Sequence, residues 1–247
     1  YSCMDVPLQY VAFEATGAAI SGMEAALKAK GKKEGVTVVG WAGDGGTLDI
    51  GIQALSGAVE RGHDVKYVCY DNEAYMNTGI QRSSATPRGA WTTTTPVGKT
   101  RFWKQTNKKN IVEIMAAHDI PYTCTASVAY PEDLIKKAEK MKDIEGPCYM
   151  HIYAPCPTGW KYPPEKTIEL SRLATETCIF PIYEVTYGKY KINKDIREEK
   201  KKPVLEYLKT QGRFRKLDEE TVQSLQLYVD SEWNKLKRKV ECFGEDK

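Results

Sequence analysis

The sequence has no stretch of roughly 18 consecutive apolar residues, so no segment of it reads as a membrane-spanning helix. Its start, YSCMDVPLQY, lacks the basic-then-apolar pattern of a secretory signal, and a soluble cytoplasmic protein is expected. No CxxC pair occurs among its seven cysteines, Cys3, Cys69, Cys124, Cys148, Cys156, Cys178 and Cys242. An odd count without paired spacing argues against a disulfide scaffold and for reduced thiols. Charge excess is missing too: 36 basic and 33 acidic residues leave a net +3, which gives no general electrostatic case for nucleic acid. The basic runs KKAEKMK, REEKKK and KLKRK carry or adjoin acidic residues, as solvated helix faces do.

What is present is 247 residues, 41% hydrophobic and 28% charged, enough for one sizeable α/β domain with a terminal appendage. The expected division is a main domain over 1–200 and a helical arm over 201–247. The chain does not begin with Met and reaches a packed-looking apolar segment, Val6, Leu8, Tyr10, Val11 and Phe13, almost at once; a preceding segment is expected. ATGAAISGMEAALKAKGKK then reads as a helix. Its small residues Gly17, Ala18, Ala19, Ser21 and Gly22 admit close approach of another backbone or a flat ligand, and Gly31 marks its end. Glu14 just before it is either a helix-start carboxylate or a polar group facing a cofactor.

The rest is organised around Val36 to Asn77. VTVVGW is a short apolar run that suits a strand buried on both faces of a parallel sheet. It feeds the glycine turn AGDGG, and such a turn can present backbone N–H groups and a helix N-terminus to a phosphate. TLDIGIQALSGAVERG follows with Leu48, Ile52, Leu55 and Val59 on one helical stripe and Gly62 placed to stop it. VKYVCY is a second buried strand, ending in DNEAYMN. Two strands of one βαβ unit therefore end in oxygen ligands competent for a metal, Asp44 and Asn72. Magnesium takes only one or two carboxylates from protein, so these two with a backbone carbonyl nearby suffice. Asp71 stands where a dinucleotide fold wants a ribose ligand, but AGDGGTL lacks the GxGxxG spacing of such a fold.

Arg82 to Lys104 is polar and turn-rich, either an exposed loop or a source of cations (Arg82, Arg88, Lys99, Arg101) for a substrate carboxylate or a neighbouring subunit. IVEIMAAHDIPYTCTASVAYPEDLIKKAEKM gives helix, strand and helix, and CYMHIY a further strand, continuing a doubly wound pattern. His118 reads as a cap or surface residue. WKYPPEKTIEL starts a helix at its prolines, and IFPIYEVTYGKYKI forms a small hairpin or edge. Val222, Leu225, Val229, Trp233, Leu236 and Val240 make a last amphipathic helix, packed on its own domain or on a partner.

GDG followed after 26 residues by Asn resembles the thiamine diphosphate motif. The surrounding text, GDGGTLDIGIQALSGAVERGH and DNEAYMNTGIQRSSATPRGAWTTTTPVGK, is similar to the thiamine-binding β subunit of pyruvate:ferredoxin oxidoreductase and related 2-oxoacid:ferredoxin oxidoreductases. The resemblance runs from about Val6 to about Gln211 and implies an α/β thiamine diphosphate-binding fold with a mainly parallel sheet and helices on both faces. It implies that Asp44, Asn72 and the Ala74 carbonyl bind Mg2+, and that the diphosphate rests on Gly43, Gly45 and the metal. Asn77 would face the thiazolium and substrate as an uncharged donor to a developing oxyanion.

The implied activity is oxidative decarboxylation of pyruvate, oxalate or another small 2-oxoacid, with coenzyme A as a possible co-substrate. Electrons would pass through [4Fe-4S] clusters to ferredoxin, and a partner subunit would supply the glutamate that ionises the aminopyrimidine. Here the sequence departs from the pattern, which has a CxxC pair and a third cysteine upstream. Only Cys156, in HIYAPCPTG, matches a cluster ligand; Cys3 matches poorly, and the other ligands are expected outside this sequence. A non-redox thiamine decarboxylase or synthase subunit and a non-catalytic phosphate-binding module stay open as alternatives.

Overall fold

A computed structural model of the chain describes residues 5–96, 98 and 103–244; Cys3, Lys99 and Arg101 lie outside them. Four apolar runs, β1 (Val38–Gly43), β2 (Val65–Asp71), β3 (Tyr122–Ser127) and β4 (Cys148–Tyr153), pair in parallel in the spatial order β1-β2-β4-β3. The expected hairpin is present as β5 (Tyr183–Thr186) and β6 (Lys189–Ile192), which extend the sheet antiparallel from β3. The register pairs Gly43 with Tyr70 and Asp71 with Tyr153. The carboxyl ends of β1, β2 and β4 thus share one edge, where a parallel α/β sheet places its ligands.

Helices α1 (Thr16–Ala29), α2 (Ile52–Glu60) and α3 (Ile111–Ala116) pack on one face, where Ile20, Leu55, Val59, Val65, Tyr67, Met115 and Tyr149 form the larger core. Helix α4 (Pro131–Asp143) packs on the other, with Met141 against Val68, Tyr122, Cys124 and Met150. The small residues of α1 have their use at Gly17, where an added Cβ would lie 2.7 to 2.8 Å from the backbone of Ala54 and Leu55. It is the second helix that approaches there. After α5 (Pro157–Trp160), α6 (Thr167–Glu176) and α7 (Val204–Lys209), the long α8 (Glu219–Phe243) buries Leu225, Val229, Trp233 and Leu236 in the same core. Its apolar stripe faces its own domain.

Two expectations are corrected. Strand β1 is buried on one face only: Val39 and Trp41 are 53% and 61% exposed, because β1 is the sheet edge and α4 contacts the sheet at β3. The apolar segment at the start is not packed, with Val6, Leu8, Tyr10 and Phe13 all at least half exposed. Of the two readings of the segment after Arg82, the exposed loop holds only in part among the described residues: Thr93 and Thr94 are exposed, whereas Ser83, Ala85, Thr86, Ala90, Thr92 and Lys104 are buried. Arg82 itself is exposed, whereas Arg88 donates to Ser224 Oγ at 3.0 Å and ties the segment to α8. His118, at the end of α3, bonds Ser56 Oγ through Nε2 at 3.1 Å.

At the opposite end of the sheet, the buried Lys66 ammonium donates to Asp64 Oδ1 at 2.6 Å and to the carbonyls of Ile144 and Gly146 at 2.5 and 2.8 Å. Lys33 reaches Asp64 Oδ2 at 2.7 Å. Burial pushes the Asp64 carboxyl up, but the two ammonium groups outweigh it and hold it at about 2, against an ordinary 3.8. A carboxylate depressed by folding contributes stability that is full above its unfolded value and lost as pH falls through the folded one. Asp64→Asn is therefore expected to cost about 2 kcal/mol at pH 7. In denaturant unfolding the gap to wild type should close between about pH 4 and pH 2.

Candidate cofactor and metal site

The glycine-rich turn expected after β1 is helical, a π-helical run Gly45–Ile50 capped by Asp44, which is 1% exposed, and β2 runs out into Asn72, Glu73 and Ala74. The end of the Asn72 amide lies 2.7 Å from the Ala74 carbonyl oxygen and 3.0 Å from Asp44 Oδ1. Turned with its nitrogen inward, the amide donates to both; turned with its oxygen inward, it joins them in a cluster of three oxygens with no proton between them. The first arrangement is self-sufficient, and the second needs a cation. A hard divalent ion with octahedral ligands near 2.1 Å keeps adjacent oxygens about 3 Å apart, and the observed separations fit that spacing. Asp44 Oδ2 accepts from Ser83 Oγ at 2.5 Å. Burial first, then the nearby Asp71 charge, push the Asp44 carboxyl well above the usual range, and the Ser83 bond offsets this only in part. Among the described residues no lysine, arginine or histidine forms an ion pair with it.

Asp71 meets the opposite environment. It is fully buried, accepts from the Lys108 ammonium, and contacts His151 Nε2 at 2.8 Å. The second ring nitrogen, Nδ1, lies 2.9 Å from Tyr149 Oη. Burial alone would raise the Asp71 carboxyl, but Lys108 and His151 hold it well below the usual range. Its Oδ1 takes the Glu73 backbone N–H at 2.8 Å, fixing the residue between the two candidate ligands. Glu73 has φ +64°, a left-handed conformation costing about 1 kcal/mol for a residue with a side chain. It is held there by Lys108 at 2.9 Å and Arg213 at 2.6 Å on its carboxylate, and by Thr86 Oγ1 on its carbonyl at 2.6 Å. Trp160 Nε1 donates to the Asn72 carbonyl at 2.8 Å, so that carbonyl is directed away from the oxygen cluster.

The glycine turn is equally constrained. A Cβ on Gly45 would overlap the Tyr75 ring, whose hydroxyl donates to the Gly45 carbonyl at 3.0 Å. Gly43 lies against Tyr70, its Cβ position 3.4 Å from that ring. Asn77 is exposed at the tip of the turn that pairs Tyr75 with Gln81. Cys156, half-buried just past β4, accepts from the Gly159 N–H at 3.5 Å. Among the described residues no three His, Cys, Asp or Glu side chains converge to hold a metal, so Cys156 has no cluster partner there. Glu14 is exposed in a short turn ahead of α1.

Residues 2–152 match the family described as thiamine pyrophosphate enzyme, C-terminal TPP binding domain. The VorB subunit of ketoisovalerate oxidoreductase from Pyrococcus furiosus is 56% identical over 99% of this chain and 80% of its own length. The PorB subunit of pyruvate synthase from Methanothermobacter marburgensis is 55% identical over 92% and 78%. The chain belongs to the β-subunit family of 2-oxoacid:ferredoxin oxidoreductases. Among solved structures, the 2-oxoglutarate:ferredoxin oxidoreductase from Magnetococcus marinus, with 2-oxoglutarate, coenzyme A and succinyl-CoA bound, is similar at 25% identity and TM-score 0.52, over 59% of this chain and 46% of that one.

In this β-subunit-family member, sequence reasoning missed Ser83, Lys108, His151 and Arg213. Each is far along the chain from the residue it holds, and the one local signal is the acidic pair in DNE, which inside a buried strand end demands cations. Removing Lys108 leaves Asp71 and Glu73 short of a positive charge. Lys108→Met is therefore expected to destabilise the fold by about 3 kcal/mol, and Lys108→Arg by clearly less, as read by thermal and denaturant unfolding.

Proposed function

We propose that this chain is the thiamine diphosphate- and Mg2+-binding half-site of an oxidoreductase that decarboxylates a small 2-oxoacid and passes the electrons to ferredoxin. The carrying observation is the Asn72 amide set 3.0 Å from Asp44 Oδ1 and 2.7 Å from the Ala74 carbonyl oxygen, in a chain of this family. In this reading the Asn72 amide turns its oxygen inward, and the three oxygens take one side of the ion. Diphosphate oxygens and water complete the shell, with Gly43 and Gly45 beneath the phosphates. Thiamine diphosphate, when bound, supplies the nucleophilic carbon and the electron sink. The chain's own residues hold and orient: Tyr75 and Ser83 keep the glycine turn and Asp44 in place, and Asn77 offers an uncharged donor on the substrate side.

Relatives named for ketoisovalerate and pyruvate support a branched or simple aliphatic 2-oxoacid, and no reported relative supports oxalate. The coenzyme A in the Magnetococcus marinus structure supports a thiol acceptor for the acyl group. Cys156 is read as one ligand of a [4Fe-4S] cluster whose other ligands lie outside the described residues. The partner subunit that brings the pyrimidine-side glutamate is assigned to the exposed face of β1 and β2. There Trp41 stacks on Tyr70 with centroids 6.2 Å apart, and Tyr70 adjoins Gly43, so the face runs directly into the half-site.

In the assembled complex, Asp44→Ala is expected to remove bound thiamine diphosphate and to lower 2-oxoacid-dependent viologen reduction by roughly a hundredfold or more; retention of both would sink the assignment. Cys156→Ser should lower the iron content by about four atoms per chain while thiamine diphosphate stays bound. Unchanged iron would remove Cys156 from the cluster.

A further inference from the structure

A second concave site lies beside Arg213, the residue that pairs with Glu73. It is a pocket of about 90 Å³ lined by Gly89, Trp91, Trp103, Lys161, Arg213, Arg215 and neighbouring residues. No Asp or Glu is among its described lining residues. Its walls are cross-tied through the backbone: Trp91 N–H donates to the Arg213 carbonyl at 2.9 Å, Gly212 N–H to the Lys161 carbonyl at 3.0 Å, and Gly89 N–H to the Lys104 carbonyl at 2.9 Å. Two of the wall positions are conformationally demanding, Gly89 at φ +86° and Lys161 at φ +60°. The shape is therefore built by the fold before anything enters it.

The electrostatics of this pocket are one-sided. Arg213, 4% exposed, is paired with Glu73 on its inner side. The Lys161 ammonium sits over the Trp91 ring, 3.7 Å from its centroid, a contact that fixes the side chain without neutralising it. Arg215 is close enough to Lys161 for its charge, after burial, to lower the Lys161 ammonium. Both charges reach solvent, and an anion that entered between them would be attracted by both. A planar guanidinium beside an ammonium in a preformed concavity is suited to phosphate oxygens, which it can take by paired N–H donors.

We propose that the Trp91–Lys161–Arg215 pocket is a binding site for the phosphate group of a small phosphorylated ligand, separate from the diphosphate seat at Gly43 and Gly45. Its small volume and the chain's weak overall charge favour a low-molecular-weight ligand over a nucleic acid strand. Phosphate carried on a nucleotide and phosphate free in solution share this chemistry, and the test separates them.

Titration calorimetry on the assembled complex, in chloride buffer, would use inorganic phosphate, pyrophosphate, ADP and a single-stranded oligonucleotide as probes. Binding of at least one of the first three is expected, weakened at least tenfold by the double variant Lys161→Met, Arg215→Gln. Both side chains are exposed, and thermal unfolding of the variant verifies its fold; Lys161→Arg, which keeps the charge, should stay within about threefold of wild type. Tighter binding of ADP than of pyrophosphate assigns the nucleotide, and the reverse assigns the free anion. Saturating thiamine diphosphate should leave the binding unchanged, and Asp44→Ala should spare it, so this site can stand or fall independently of the cofactor site. The proposal is overturned if none of the three binds or if the double variant binds as wild type does. Competition by thiamine diphosphate, or an oligonucleotide as the tightest ligand, would overturn it as well.

Discussion

Two carboxylates buried at the ends of adjacent parallel strands set the constraint from which the site follows. Asp44 and Asp71 are too close for both to be charged without help, and burial raises the cost of each. The fold treats them unequally. Asp71 receives Lys108 and His151 and is thereby committed to structure, its remaining oxygen spent on the Glu73 N–H. Asp44 receives one hydroxyl, from Ser83, and no cationic side chain among the described residues. A divalent ion reverses the local logic of ionisation, and Asp44 is the carboxylate of the two whose charge such an ion would match.

The same network makes the Asn72–Ala74 loop depend on distant parts of the chain. Glu73 keeps its left-handed conformation because Lys108 and Arg213 converge on its carboxylate and Thr86 on its carbonyl. Arg213 is itself oriented by Gln211 at 2.8 Å and Tyr207 at 3.1 Å, so the α7 region and the strand end form one electrostatic unit. The Tyr207 and Tyr153 hydroxyls, 2.5 Å apart, bring β4 into it. The geometry at Asn72 and Ala74 therefore depends on the folding of residues more than a hundred positions away.

This dependence explains what the sequence could and could not reveal. The β1–turn–α2–β2 unit was legible because its signals are local: apolar runs, a helical stripe and glycines at the turn. That Asp44, Asn72 and Ala74 lie together was legible because a parallel βαβ unit must bring the ends of its strands together. Ser83, Lys108, His151 and Arg213 were not, since only the tertiary fold places them. The segment after Arg82 misled for a related reason. Its threonines and serines look solvated, yet Ser83, Thr86, Thr92 and Thr95 are buried, with Thr92 N–H on Thr95 Oγ1 and Ser83 N–H on Thr86 Oγ1. Polar residues that satisfy their own backbone leave no apolar periodicity to read.

Strand β1 carries the same lesson in the other direction. VTVVGW has the continuous apolar character of a strand covered on both faces, and within this chain it is covered on one. The composition is a response to the environment in which the strand works, so the uncovered face, with Val39, Trp41 and Tyr70, is expected to lose its water in the assembly. An edge strand that is long, apolar and open invites association, and here that edge leads without a break to Gly43 and Asp44. The exposed face and the half-complete ligand set are thus two consequences of one arrangement. On the proposed reading, a cofactor gripped from both ends at a sheet edge covered on one side would be closed over by a second chain. The apolar residues there supply the contact that would hold it.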